Sequence, residues 1–165
     1  MKHLLQISLL LFFTICSAQP KLELTPQGFQ PLEMPTPNRP LDQLMEGSKN
    51  WAPYFNKKTY DIFDVTENSL SIEARVENGY YYYNVGVKYN CDIVYTLKIE
   101  FRPDKKYTLA IAVKEIYAKN VLTKTTVADF FTADGKLKDD FRDAKPSLEN
   151  TINKIVKSYV NFINQ

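Results

Sequence analysis

Histidine and cysteine are nearly missing from this chain of 165 residues, which has one histidine, His3, and two cysteines, Cys16 and Cys91. His3 and Cys16 fall in a stretch that reads as a cleavable leader, so the chain beyond it keeps no histidine and one cysteine. That excludes Ser-His-Asp and Cys-His nucleophilic arrangements, histidine metal sites and multi-cysteine zinc sites, and an internal disulfide. Cys91 reads as a small buried residue beside a strand, because no histidine is left to activate it. Only five glycines occur, and none forms a phosphate-cradling loop. The formal charge of +2 comes without a dense basic block and gives no reason for a nucleic-acid partner. Asp134 to Asp140 approaches the composition of a calcium loop, but Lys136 and Lys138 stand where oxygen ligands are needed, so it reads as a solvated turn. No cofactor and no metal are expected. A carboxylate pair for hydrolysis is not local in sequence and stays open as an alternative.

The N-terminus carries the clearest signal. Met1-Lys2-His3 is a short basic start, Leu4 to Ile15 is a mainly apolar run, and Cys16-Ser17-Ala18 supplies small residues. This order is that of a secretory signal peptide over 1–18, cleaved between Ala18 and Gln19, and the run is too short for a stable transmembrane helix. The expected destination is the periplasm or the medium. A lipoprotein acylated at Cys16 is the alternative, disfavoured by the bulky Ile15 before it. Residues 19–165 are expected to form one domain, with a core over about 24–116 and a C-terminal helix at 146–164.

The chain then offers a strand near Phe29–Met34, which Pro31 either confines to an edge or demotes to irregular chain. A proline-rich connector follows over Pro35–Pro40. Asn38 suits a helix cap and Pro40 a first helical turn. Leu41, Leu44, Met45, Ser48, Ala52 and Phe55 share one face of that helix, with Pro53 ending or kinking it and Trp51 as a core anchor. Strands follow at Tyr60–Val65 and Leu70–Val76. Asn78-Gly79 predicts a hairpin turn. Tyr80–Tyr83 starts the next strand, and Asn84–Asn90 either continues it or loops out. The best-patterned stretch is Ile93–Phe101, a turn at Arg102–Lys106, and Tyr107–Val113, with apolar residues at every second position. From Asn120 to Arg142 the pattern decays into a long loop with a short helix near Val127–Phe131. The last helix, opened by Pro146, aligns Leu148, Ile152, Ile155, Val156, Tyr159, Phe162 and Ile163, with Glu149 away from that stripe.

Strand, helix, about four strands and helix make an α+β domain: one antiparallel sheet of about five strands with two helices on one face, in the order β-α-β-β-β-β-α. The stretches Leu24–Met34, Leu41–Trp51, and Asp92–Phe101 with Lys106–Leu109 resemble the exported bacterial proteins grouped as domain of unknown function 4468. The resemblance implies a fold like that of the TATA-binding protein (TBP). It implies no activity and no site residues, and the fold name implies no DNA binding, because fold does not set function.

Tyr80–Tyr83 is the one feature that invites a functional reading. On a strand these side chains alternate between faces, so two pack inward while Tyr81 and Tyr83 stand on the other side. Exposed tyrosines suit protein or sugar surfaces; the plain alternative is β propensity and cross-strand pairing. The expectation is a non-enzymatic envelope domain that binds a partner, with an envelope protein as the candidate. A helix-grip carrier with an apolar cavity and a carboxylate-based hydrolase are the alternatives. What lies on the sheet face bearing Val94, Thr96, Lys98 and Glu100 decides where such binding occurs. If that face is open it adjoins the tyrosines; the unplaced 120–142 segment is the candidate to cover it.

Overall fold

A computed structural model describes residues 21–57 and 59–165. The expected leader with Cys16 and the expected cleavage position between Ala18 and Gln19 lie outside the described residues.

Alternation sets the strands. In β6 (Val87–Phe101) the side chains of Cys91, Ile93, Tyr95, Leu97, Ile99 and Phe101 are buried, while their even-numbered neighbours reach solvent in part or in full. β7 (Lys106–Ala118) repeats this with Tyr107, Leu109 and Ile111, and β5 (Ser69–Asn84) with Leu70, Ile72 and Ala74. β3 (Leu32–Pro35) and β4 (Tyr60–Phe63) complete an antiparallel sheet of order β3-β7-β6-β5-β4. The two-residue β8 (Val121–Leu122) adds to β7, and β1 (Leu24–Thr25) pairs with β2 (Gly28–Phe29) in a separate small hairpin.

Two helices, α1 (Leu41–Asn56) and α2 (Ala144–Ile163), lie on the same apolar face. The space between helices and sheet is filled by Leu44, Trp51, Ile152, Ile155, Tyr159 and Ile163, each at most 1% exposed. Trp51 is the anchor that its position predicted. Its ring stacks on Phe55 at 5.2 Å, meets Tyr159 edge-on at 5.4 Å, and its indole N–H donates to Ser158 Oγ. Ser48 Oγ donates to Leu44 O and bonds Tyr159 OH, so both hydroxyls are satisfied in the core.

Several expectations are corrected. Asn78-Gly79 makes no hairpin. Val76 pairs with Ile93 and Tyr80 with Cys91, so β5 carries two extra residues in a bulge and runs on to Asn84. Asn78 does take positive φ (52°), but its N–H donates to the Asp92 carboxylate across the ladder, which holds a bulge instead of a turn. The hairpin turn is Val85-Gly86, between Asn84 and its partner Val87. Asn38 does not cap α1; Pro40 precedes its first residue and no side chain caps it. Pro53 lies inside α1, which continues to Asn56. Glu149 is buried, because the N-terminal segment crosses α2 there: its carboxylate accepts the Leu24 N–H at 2.8 Å and the Lys145 ammonium at 2.5 Å. Asn153 holds the same segment by accepting the Leu22 N–H and donating to the Leu22 carbonyl.

The 120–142 segment is not a bare loop. It contains β8, a short 3₁₀ turn at Val127–Phe130 with a capping box between Thr126 and Asp129, and a bridge between Phe131 and Leu137. Phe130 is fully buried, stacked on Phe141 at 4.3 Å and edge-on to Tyr80 at 5.6 Å. It therefore covers the helix side of the sheet at Tyr80, beside the start of α2.

Candidate binding surface

The opposite face of the sheet is open to solvent. Lys98, Ala112 and Lys114 are exposed there, and Val94, Thr96 and Glu100 are half-buried. Its charges are paired: Lys114 of β7 with Glu73 of β5 at 2.8 Å, and Lys98 with Glu100 along β6 at 3.8 Å. Such exposed pairs contribute little energy and keep the face hydrated. Charge pairing makes this face a poor docking floor by itself.

The sheet's distinctive feature is an arm. Beyond the bulge, β5 and β6 continue as a two-stranded ribbon from Tyr80–Cys91 to Asn84–Val87. β4 pairs with β5 only over Ser71–Ala74, and β7 reaches β6 no further than Cys91. Strand partners are thus absent from both edges of Tyr81–Asn90 among the described residues. One point of attachment is the Tyr81 N–H, which donates to Ser147 Oγ at the start of α2.

The base of the arm is stapled on the open face. Arg75 donates to Asp92 and to Asn120 Oδ1, each at 2.7 Å, and its guanidinium lies 4.6 Å from the centre of the Tyr117 ring. Asp92 thereby ties the guanidinium to the Asn78 N–H of the bulge. Asn78, Asp92, Lys88, Tyr89 and Asn120 line a broad groove of about 1070 Å³ along this side. On the other side, Tyr80, Tyr82, Cys91, Thr123, Asp140 and Phe141 line a smaller cavity of about 290 Å³.

The tyrosines divide as alternation requires. Tyr80 is buried under Phe130, and Tyr82 stacks on Tyr89 at 5.4 Å. Tyr81 and Tyr83 meet edge-on at 5.9 Å on the other side, with Lys88 Nζ 4.0 Å from the Tyr81 ring centre. Tyr83 is exposed and Tyr81 half-buried. Sequence reasoning missed Val85. It is 95% exposed at the tip, with φ of 48°, a conformation that a β-branched residue adopts only under strain. Val87 is exposed beside it. Asn78-Gly79 predicts the turn one bulge too early, and that hides the tip.

Cys91 is buried, and desolvation pushes its thiol pKa up. It is therefore a protonated neighbour of Tyr80, whose own hydroxyl is raised by burial. Tyr107 OH is buried without a partner and pushed up to about 12 by desolvation. Among the described residues no cluster of three or more His, Cys, Asp or Glu is arranged to hold a metal ion. No described helix is long and apolar enough to cross a membrane.

Comparison with solved structures places this architecture. A TBP-like protein from Parabacteroides distasonis superposes with a TM-score of 0.52 at 12% identity, over 82% of this chain and 92% of that one. The fold is TBP-like. A domain of unknown function 4468 family protein from Bacteroides ovatus gives a TM-score of 0.53 at 10% identity, over 90% of this chain and 88% of that one. The resemblance seen in the patterned strands is thus matched in three dimensions. At such identities the likeness concerns fold alone. No protein-family model and no curated protein matches the sequence. The TBP-like fold accounts for the helix-covered body.

Proposed function

We propose that this protein is an exported, non-enzymatic domain that binds a protein partner in the cell envelope through the β5–β6 arm. Export rests on the basic, apolar and small-residue order of Met1–Ala18. The binding role rests on one observation above all. The arm tip spends conformational strain to display an apolar side chain, Val85, where asparagine would relax the turn. Tyr83 and Val87 flank it, exposed, on a ribbon whose edges have no strand partners among the described residues. Aromatic and aliphatic side chains ringed by polar ones are the composition of an interface core, and here Lys88, Asn84 and Asn90 supply the polar rim. The paired charges of the neighbouring face then act as a hydrated border that keeps the sheet itself from sticking.

The test compares the mature domain with a Tyr81→Ser/Tyr83→Ser/Val85→Asn variant as bait in envelope extract. The expected result is that the variant melts normally but loses the partner captured by the parent. Equal capture by a folded variant would refute the reading.

A further inference from the structure

We infer that the outer edge of β7 is a second, independent docking site, one that takes an extended peptide as an added strand. The edge is interrupted. β3 pairs with β7 from Lys106 to Leu109, and β8 pairs with it at Tyr117 and Ala118. Between them no described strand pairs with the outer side of β7, a gap of seven residues or ~23 Å at ~3.3 Å per residue.

The ladder identifies the groups left over. Thr36 N–H donates to Lys105 O on the outer side, while Arg102 N–H donates to Lys106 O on the inner side. Antiparallel alternation then turns the N–H and C=O groups of the odd-numbered residues outward, those of Tyr107 and Leu109 toward β3. Ile111 and Val113 come next in that series, and no backbone bond from a turn or loop reaches them among the described residues.

The gap is also shaped. Ile111, Ala112 and Val113 form the floor of a groove of about 320 Å³, with Gly28 and Phe29 on one wall and Val127 and Ala128 on the other. Walls on both sides admit a single strand and hinder the broad edge of a second copy. The bulge at Lys114 closes one end, so about three residues can pair. An antiparallel guest would lie in line with β3 and β8. Its residues opposite Ile111 and Val113 would point to the helix side, toward Phe29 and Val127. Its residue opposite Ala112 would sit on the open face beside a small side chain. The preferred guest is therefore apolar, small, apolar, read mainly through main-chain bonds. Lysines and bulges also serve to blunt edges; here the lysine stands at the end of the groove and leaves its floor apolar.

The experiment is an amide NMR titration of the mature domain with acetyl-Val-Thr-Val-Thr-Val-amide, and with the same peptide N-methylated at alternate residues. Shifts and slowed exchange at the Ile111 and Val113 amides are expected, with affinity falling at least about tenfold on N-methylation. No response at those amides, an equal response to the N-methylated peptide, or shifts confined to Tyr81–Asn90 would each overturn the inference. The arm variant described above should titrate like the parent, so the two sites stand or fall separately.

Discussion

β5 and β6 are one hairpin with two halves that obey different rules. Below the bulge, Leu70, Ile72 and Ala74 face Ile99, Leu97 and Tyr95, all at most 3% exposed. A one-residue slip would turn every one of them to solvent, so burial sets the register. Above the bulge, Tyr83, Val85 and Val87 are exposed, and register depends on the turn and on the Tyr82–Tyr89 stack. Folding alone accounts for the residues of the lower half. It does not account for valine at the tip, and the proposed binding role rests on that difference.

The largest expected effect tests the lower half. Trp51→Ala should cost about 3–5 kcal/mol by urea denaturation, because it empties a site that no exposed group can refill. Tyr83→Ser should change stability by no more than about 0.5 kcal/mol. Comparable losses would abolish the distinction between body and arm.

The junction comes next. A Cβ on Gly79 would lie 2.7 Å from Ile93 Cγ1, so the bulge needs glycine there for close approach. Gly79→Ala should cost about 1–3 kcal/mol, and amide exchange should accelerate in Tyr80–Asn90 more than in Ile93–Phe101. Uniform acceleration would mean that the bulge does not separate the halves.

At the tip the sign reverses. Val85→Asn should stabilise the protein by up to about 1 kcal/mol, since asparagine tolerates left-handed backbone that valine resists. A lower melting temperature would show that Val85 is held by contacts within the fold.

The smallest effect belongs to the body's edge. The Glu33 carboxyl is held below its ordinary 4.5 by hydrogen bonds from Lys106 and then Arg102. A depressed folded pKa contributes stability above the unfolded value, and that contribution is lost as pH falls through the folded one. The exposed, solvent-screened pair makes the change slight. Thermal melts above and below pH 4.5 should therefore converge slightly between parent and Glu33→Gln on the acid side. No convergence would show that the bridge contributes nothing.

Much of the body was legible because its signal is local. The period-2 runs of Ile93–Phe101 and Tyr107–Val113, the stripe of α2 and the buried Trp51 all follow from spacing, and the structure has them. The arm was legible only in part. Tyr81 and Tyr83 were separable from Tyr80 by alternation, yet Asn78-Gly79 suits a bulge as well as a turn: the bulge uses the positive φ of Asn78 and the missing side chain of Gly79. What chose the bulge is Asp92, a residue fourteen positions away, which caps the Asn78 N–H.

By itself, then, the chain's order of residues determined the α+β class, the strand alternation and the poverty of histidine and cysteine chemistry, because each depends on neighbours a few residues apart. Tertiary structure decided where the hairpin turns, that Glu149 is buried under the N-terminal segment, that 120–142 covers the helix side, that Val85 is exposed, and that the Ile111–Val113 edge has no strand partner among the described residues. Those outcomes depend on contacts between residues remote in sequence, whose energies no local pattern contains.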